Sequence, residues 1–190
     1  MLPPNIIAGS ERMTHSSVRC LILACGNTLR SDDGVGPWLA EWAENRFRSE
    51  VGLRILTLQQ WAPELAEEIA YARSVLFIDC SAESAPGAVQ IAEVQPATSR
   101  HGLGTHHLGA PELLALGFEL YGGLPANAQL LTVGAGSTEL GETFSDPVKA
   151  ALPEACKLIE VTVKQLLERP KIHYPLNRRL RFWSDSPPRL

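Results

Sequence analysis

The chain has 190 residues, of which 45% are hydrophobic and 20% charged, as expected for one globular domain with a buried core. A formal net charge of -4 offers no basic surface for phosphate backbones, and no apolar run approaches the roughly 20 residues that cross a bilayer. We therefore expect neither nucleic acid nor a membrane as a partner.

The N-terminal segment and the cysteines indicate the compartment. Residues 1–18 show no basic start followed by a long apolar stretch, so they do not have the pattern of a secretory signal. The four cysteines are scattered without a C-x-x-C pair, which argues against a disulfide scaffold and against a zinc ribbon. We expect a cytoplasmic protein with reduced thiols.

The first half of the chain alternates between apolar runs and helical patterns. Residues 19–24 are almost continuously apolar, which is typical of a strand buried on both faces of a parallel sheet. Apolar residues then recur at three- and four-residue steps and predict a helix over residues 34–48. A second strand is predicted at residues 53–58, and a second helix begins near Pro63.

The second half continues the alternation. Strands are predicted at residues 74–79, 89–94 and 129–133, with a helix at residues 106–120. The strand at 89–94 is expected to be antiparallel, because the connection before it is too short for a crossover helix. A long terminal helix begins near Asp146 and is expected to be perturbed or restarted at Pro153.

This pattern predicts a three-layer, doubly wound α/β fold. Helices would flank a mostly parallel, five-stranded twisted sheet with one antiparallel strand. The fold would occupy residues 18–169, between a flexible N-terminal tail at residues 1–17 and a basic, proline-containing tail at residues 170–190. Ligands of such sheets bind in the crevice beyond the carboxyl ends of the strands, so functional residues are expected there.

The loop that leaves the first strand carries adjacent carboxylates, Asp32 and Asp33. Aspartates at the start of a helix can simply cap free N–H groups. The same two charges would also favour a cation. They would repel a phosphate, and the loop has neither G-K-[ST] nor G-x-G-x-x-G, so a nucleotide site is disfavoured.

Two further polar residues are predicted at the same edge. Asp79 ends an otherwise apolar strand, although a single aspartate in that position often only accepts backbone N–H bonds. His106 and His107 lie at the expected start of the third helix, where neighbouring side chains point about 100° apart and one can face the crevice. Two carboxylates and one imidazole would leave coordination positions free for a substrate.

These segments resemble the hydrogenase maturation endopeptidases. The loop matches the family signature G-N-x-L-x-x-D-[DE]-G-x-G at Gly26, Asn27, Asp32, Asp33, Gly34 and Gly36. A strand end of the F-I-D type, finishing at Asp79, and a His-x-Leu-Gly element at residues 106–109 follow in the family's order. The resemblance extends over residues 19–167.

The resemblance implies an aspartic-type, metal-dependent endopeptidase. Such an enzyme recognises nickel in the precursor of a [NiFe]-hydrogenase large subunit and removes the precursor's C-terminal peptide. Asp33, Asp79 and His106 would contact the metal, and Asp33 and Asp79 would be catalytic. Many relatives have Glu where Asp33 stands. The aspartate of this chain is shorter by one methylene and keeps the negative charge. The nickel would come from the substrate and would be weakly held or absent in the isolated enzyme. The enzyme itself would be a monomer.

The segment after the second strand resembles one subgroup more than another. Gln59-Gln60-Trp61 lacks the D-G-G-T-type sequence of proteases that serve uptake hydrogenases. It is closer to the H-Q-L type of those that serve bidirectional, NAD-linked Hox hydrogenases, although Gln59 and Trp61 replace His and Leu. The resemblance therefore favours a Hox-type partner.

Two other functions compete with the endopeptidase. Cys25 and Cys80 both lie at strand ends near the same edge, and a thiol hydrolase would use one of them as its nucleophile. A non-catalytic assembly factor would hold the same nickel site of the precursor without cutting it. Binding without a change in the mass of the precursor would favour the assembly factor.

Overall fold

A computed structural model describes residues 18–98 and 108–168 of the chain. The elements, in chain order, are β1 (Cys20–Cys25), α1 (Val35–Arg46), β2 (Leu53–Leu58), α2 (Leu65–Tyr71), β3 (Ser74–Ser81), β4 (Val89–Glu93), α3 (Ala110–Tyr121), β5 (Asn127–Gly134) and α4 (Asp146–Glu168). A short 3-10 turn, Ser31–Gly34, precedes α1. No helix among the described residues is long and apolar enough to cross a bilayer.

The five strands form one sheet in the order β2-β1-β3-β5-β4. The first four are parallel, and β4 runs antiparallel to β5 at the edge. The chain passes from β1 to β2 on one side and then returns to place β3 on the other side of β1. The carboxyl ends of β1 and β3 therefore flank a topological switch point, where ligands of such sheets bind.

Both faces of the sheet are covered by helices. One face packs against α1 and α4 around Ile22 and Ile78, and the other packs against α2 and α3 around Leu23 and Phe77. Because strand side chains alternate between the faces, β1 must be apolar throughout, and all six of its residues are buried. The predicted α/β fold, with its five strands and single antiparallel strand, is confirmed.

Two predicted helices have different bounds. The third helix was expected from residue 106, but α3 begins at Ala110 after the N-cap Gly109, whose amide donates to Glu112 at 3.0 Å. The terminal helix was expected to be perturbed or restarted at Pro153, but α4 is continuous. Proline removes one backbone hydrogen bond, and the burial of Ala151 and Ala155 on either side keeps the helix in place.

Three predictions lie outside the described residues. They are the tail at residues 1–17, the tail at residues 170–190 and the position of His106.

Candidate active site

The loop after β1 packs closely on the strand it leaves. Gly26 adopts a φ of 144°, and a Cβ atom on it would lie 1.9 Å from the carbonyl oxygen of Asp33. A Cβ atom on Gly36 would lie 2.1 Å from the carbonyl oxygen of Cys25. Neither position has room for a side chain, so the glycines of the signature let the start of α1 sit directly on the end of β1.

Within this loop Asn27 holds Asp33 in place. The amide of Asn27 donates to Oδ2 of Asp33 at 2.9 Å, and Oδ1 of Asn27 accepts the amide of Leu29 at 2.9 Å. The second bond closes a turn over the side chain of Asn27. The carboxylate of Asp33 is thereby fixed at the mouth of the loop, where it is half-buried.

Asp79 lies at the carboxyl end of β3, on the sheet face covered by α2 and α3. Strand alternation places it on the same side as Phe77, which belongs to the core beneath those helices. Its Oδ1 accepts the amide of Cys80 at 2.8 Å, and its Oδ2 accepts the indole N–H of Trp61 at 2.9 Å. Each carboxylate oxygen thus has one donor and keeps lone pairs for a further contact.

The structure brings Asp33 and Asp79 together. Burial raises the pKa of Asp79, the hydrogen bonds from Trp61 and Cys80 oppose this rise, and the negative charge of Asp33 adds to it. The net result is a raised pKa for Asp79, with the charge of Asp33 close enough to contribute. A cation near the two carboxylates would relieve their repulsion and favour the charged form of Asp79.

Asp32 does not belong to this pair. It is fully buried, and its oxygens accept the amides of Gly136 at 2.7 Å and Ser137 at 2.8 Å. They also accept the amide and the hydroxyl of Ser145, both at 2.7 Å. Burial alone would raise the pKa of Asp32, but these hydrogen bonds lower it. The carboxylate ties the loop after β1 to the loop between β5 and α4.

The expectation that Asp32 and Asp33 serve one cation is therefore wrong for Asp32. The alternative expectation, a helix cap, is also not met, because no side chain caps the 3-10 turn or α1. The two residues lie in a 3-10 turn, where neighbours point about 120° apart. Asp33 can thus face the crevice while Asp32 faces the interior.

The third predicted residue, His106, lies outside the described residues. The chain enters α3 on the sheet face that carries Asp79, because Ala110 and Leu113 pack in the same core as Phe77. Among residues 18–98 and 108–168 no group of three or more His, Cys, Asp or Glu side chains is arranged to hold a metal ion. The described part of the site is the pair Asp33 and Asp79.

Trp61 is a contact of Asp79 that the sequence did not predict. It follows β2, whose carboxyl end lies at the same edge of the sheet as the ends of β1 and β3. The signal that could have indicated this contact was the position of Trp61, an aromatic residue with an N–H donor, just after the end of a parallel strand. The packing of its ring against Phe77, with centroids 5.6 Å apart, could not be deduced from spacing.

The thiols near this edge are poor nucleophiles. Burial, followed by the negative charges of Asp79 and Asp33, raises the pKa of Cys25 to about 12, although backbone hydrogen bonds from Trp61 and Gly26 lower it in part. Burial and nearby carboxylates likewise raise the pKa of Cys80 to about 12. Because the thiolate is the reactive form, both residues argue against a thiol hydrolase.

Known proteins resemble the chain in sequence and in structure. No protein-family model matches it. It is 29% identical over 170 residues to the hydrogenase expression/formation protein HupM of Azotobacter chroococcum mcd 1, which covers 86% of this chain and 78% of HupM. The match to the hydrogenase maturating endopeptidase HybD of E. coli has a TM-score of 0.66 at 25% identity and covers 77% of this chain and 93% of that one.

A third relative supports the same comparison. The [NiFe] hydrogenase maturation protease HybD of Thermococcus kodakarensis matches with a TM-score of 0.58 at 26% identity, over 76% of this chain and 98% of that protein. These likenesses agree with the loop signature that contains Asp33 and with the five-stranded sheet that carries Asp79. In sequence, loop signature and fold, the chain is similar to the hydrogenase maturation endopeptidases.

Proposed function

We propose that this endopeptidase removes the C-terminal peptide from the nickel-loaded precursor of a [NiFe]-hydrogenase large subunit. The observation that carries the proposal is the proximity of Asp33, in the 3-10 turn that follows β1, to Asp79 on the neighbouring parallel strand β3, in the fold of the maturation endopeptidases. Two half-buried carboxylates that repel each other form a site suited to a divalent cation. Nickel is here a part of the substrate.

Asp33, Asp79 and His106 would each engage the nickel of the precursor. Two carboxylates and an imidazole suit a borderline cation such as Ni²⁺ and leave coordination positions for the substrate's own ligands. Binding the metal would place the scissile peptide in the crevice, where one of the carboxylates or the metal activates water. Only a precursor that already contains nickel would then be cleaved.

The partner and the setting follow from the same proposal. The Gln59-Gln60-Trp61 segment favours a bidirectional, Hox-type hydrogenase as the source of the precursor. We propose a monomeric enzyme of the cytoplasm that acts without nucleic acid or membrane. The net charge of -4 is consistent with that setting.

Mass spectrometry of candidate precursors tests this function. Purified large-subunit precursors, prepared with and without nickel, are incubated with the protein and weighed intact. We expect the nickel-loaded Hox-type precursor to lose the mass of its C-terminal peptide and the nickel-free form to keep its mass. Stable binding with no loss of mass would instead support the non-catalytic assembly factor, and cleavage without nickel would contradict recognition of the metal.

A further inference from the structure

Trp61 is fixed to the sheet edge by its main chain. The amide of Gly26 donates to the carbonyl of Leu58 at 3.0 Å, which joins the end of β2 to the end of β1. Three residues later, the main-chain N–H of Trp61 lies close enough to the thiol of Cys25 to lower the pKa of that thiol. The carbonyl of Ala62 then accepts the amide of Leu65, where α2 begins. The backbone of Trp61 is thus held between two elements of the core.

The side chain of Trp61 is fixed as well. Its ring meets the ring of Phe77 edge-on, with an interplanar angle of 76°. Phe77 is fully buried and lies two residues before Asp79 on the same strand face. The indole N–H then donates to Oδ2 of Asp79 at 2.9 Å, while the amide of Cys80 donates to Oδ1. Two donors on different atoms restrict the orientation of the carboxylate of Asp79.

From this geometry we propose that Trp61 is a positioning residue, which holds the carboxylate of Asp79 in the orientation that engages the nickel of the substrate. The inference rests on the function proposed above. An indole N–H is a neutral donor without acceptor capacity, so Trp61 orients Asp79 without competing for the metal. Groups that hydrogen-bond a metal-binding side chain in this way typically contribute about 10- to 100-fold to metal affinity or activity.

The test separates the N–H group from the ring. Trp61→Phe keeps an aromatic ring against Phe77 and removes the donor. Trp42→Phe is the matched control, because Trp42 also meets a phenylalanine edge-on, Phe47 at 6.4 Å, but packs against the opposite face of the sheet. Cleavage of the nickel-loaded precursor is followed at a temperature where both variants are folded.

We expect Trp61→Phe to lower kcat/KM by about 10-fold or more and Trp42→Phe to leave it within about 2-fold of the wild type. A purely structural role would lower Tm and leave kcat/KM unchanged. Equal kcat/KM for the two variants would overturn the role of Trp61. A wild-type protein that leaves every precursor uncut would instead overturn the proposed function.

A spectroscopic measurement tests the hydrogen bond without any substrate. The chain has four tryptophans, and the indole signal that disappears from the ¹H–¹⁵N spectrum of Trp61→Phe belongs to Trp61. We expect Asp79→Ala to move this signal to the shift of an indole without an acceptor and to leave the signal of Trp42 in place. An unmoved Trp61 signal would show that the contact with Asp79 is not made in solution, which would overturn the positioning role.

Discussion

The carboxylate of Asp32 accepts hydrogen bonds from both the amide and the hydroxyl of Ser145, each at 2.7 Å. The two residues are 113 positions apart in the chain, and their contact joins the loop before α1 to the loop before α4. The carboxylate of Asp33, the next residue, accepts the amide of Asn27 within its own loop. Of the adjacent aspartates of the signature, Asp32 therefore links two loops of the fold, and Asp33 belongs to the candidate site.

Paired substitutions should separate these tasks. In the wild type four donors point at the carboxylate of Asp32. In Asp32→Asn the amide NH₂ would face some of these donors, and the unmatched groups should lower the free energy of unfolding by about 2–4 kcal/mol. For a domain of this size that corresponds to a fall in Tm of roughly 5–15 °C. Asp33→Asn can still accept the amide of Asn27, so its Tm should stay within about 3 °C of the wild type.

The cleavage assay completes this comparison. Asp33→Asn should lower cleavage of the nickel-loaded precursor by about 100-fold or more, because each tenfold loss corresponds to about 1.4 kcal/mol of lost contact with the metal. Thermal unfolding and cleavage are measured on the same preparations. A stable Asp32→Asn, or an unstable Asp33→Asn, would show that the tasks of the two residues are not divided as described.

The hydrogen bonds of Asp32 also predict a pH dependence of stability. Its pKa in the folded chain is lowered below the ordinary value of 3.8. The stabilisation is therefore fully present above that value and is lost as the pH falls through the lower pKa of the folded state. Urea unfolding of the wild type and of Asp32→Asn should give free energies that differ at pH 7 and converge below about pH 4. A difference that stays constant down to pH 3 would contradict this account.

Alkylation should leave the enzyme active. Because their pKa values are raised to about 12, Cys25 and Cys80 are almost entirely in the unreactive thiol form at pH 7. Incubation with iodoacetamide at pH 7 should therefore not change the rate of cleavage, while the same treatment in urea labels all four cysteines. Loss of cleavage in step with labelling of Cys25 would reinstate the thiol hydrolase.

Much of the fold could be predicted because its signals are local. The run at Leu53–Leu58 was predicted to the residue, since a strand between two turns needs no distant contact to define it. The antiparallel direction of β4 followed from the length of one connection. In contrast, the continuity of α4 through Pro153 depends on packing against the core on both sides of the proline, which a sequence pattern does not display.

The site was predicted only in part for a similar reason. Asp79 was recognised because a charge ending an apolar strand is conspicuous. The burial of Asp32 depends on Ser145, and the orientation of Asp79 depends on Trp61. Both partners come from segments that only the folded sheet brings near. The sequence could therefore name the carboxylates without dividing their tasks.

The most direct test of the central claim is the intact mass of a nickel-loaded large-subunit precursor after incubation with the wild type and with Asp79→Asn. Circular dichroism and Tm establish that the variant is folded. We predict that the wild type shortens the precursor by its C-terminal peptide and that Asp79→Asn leaves the mass unchanged over the same time. Equal shortening by a folded Asp79→Asn would contradict the assignment of this edge of the sheet as the active site.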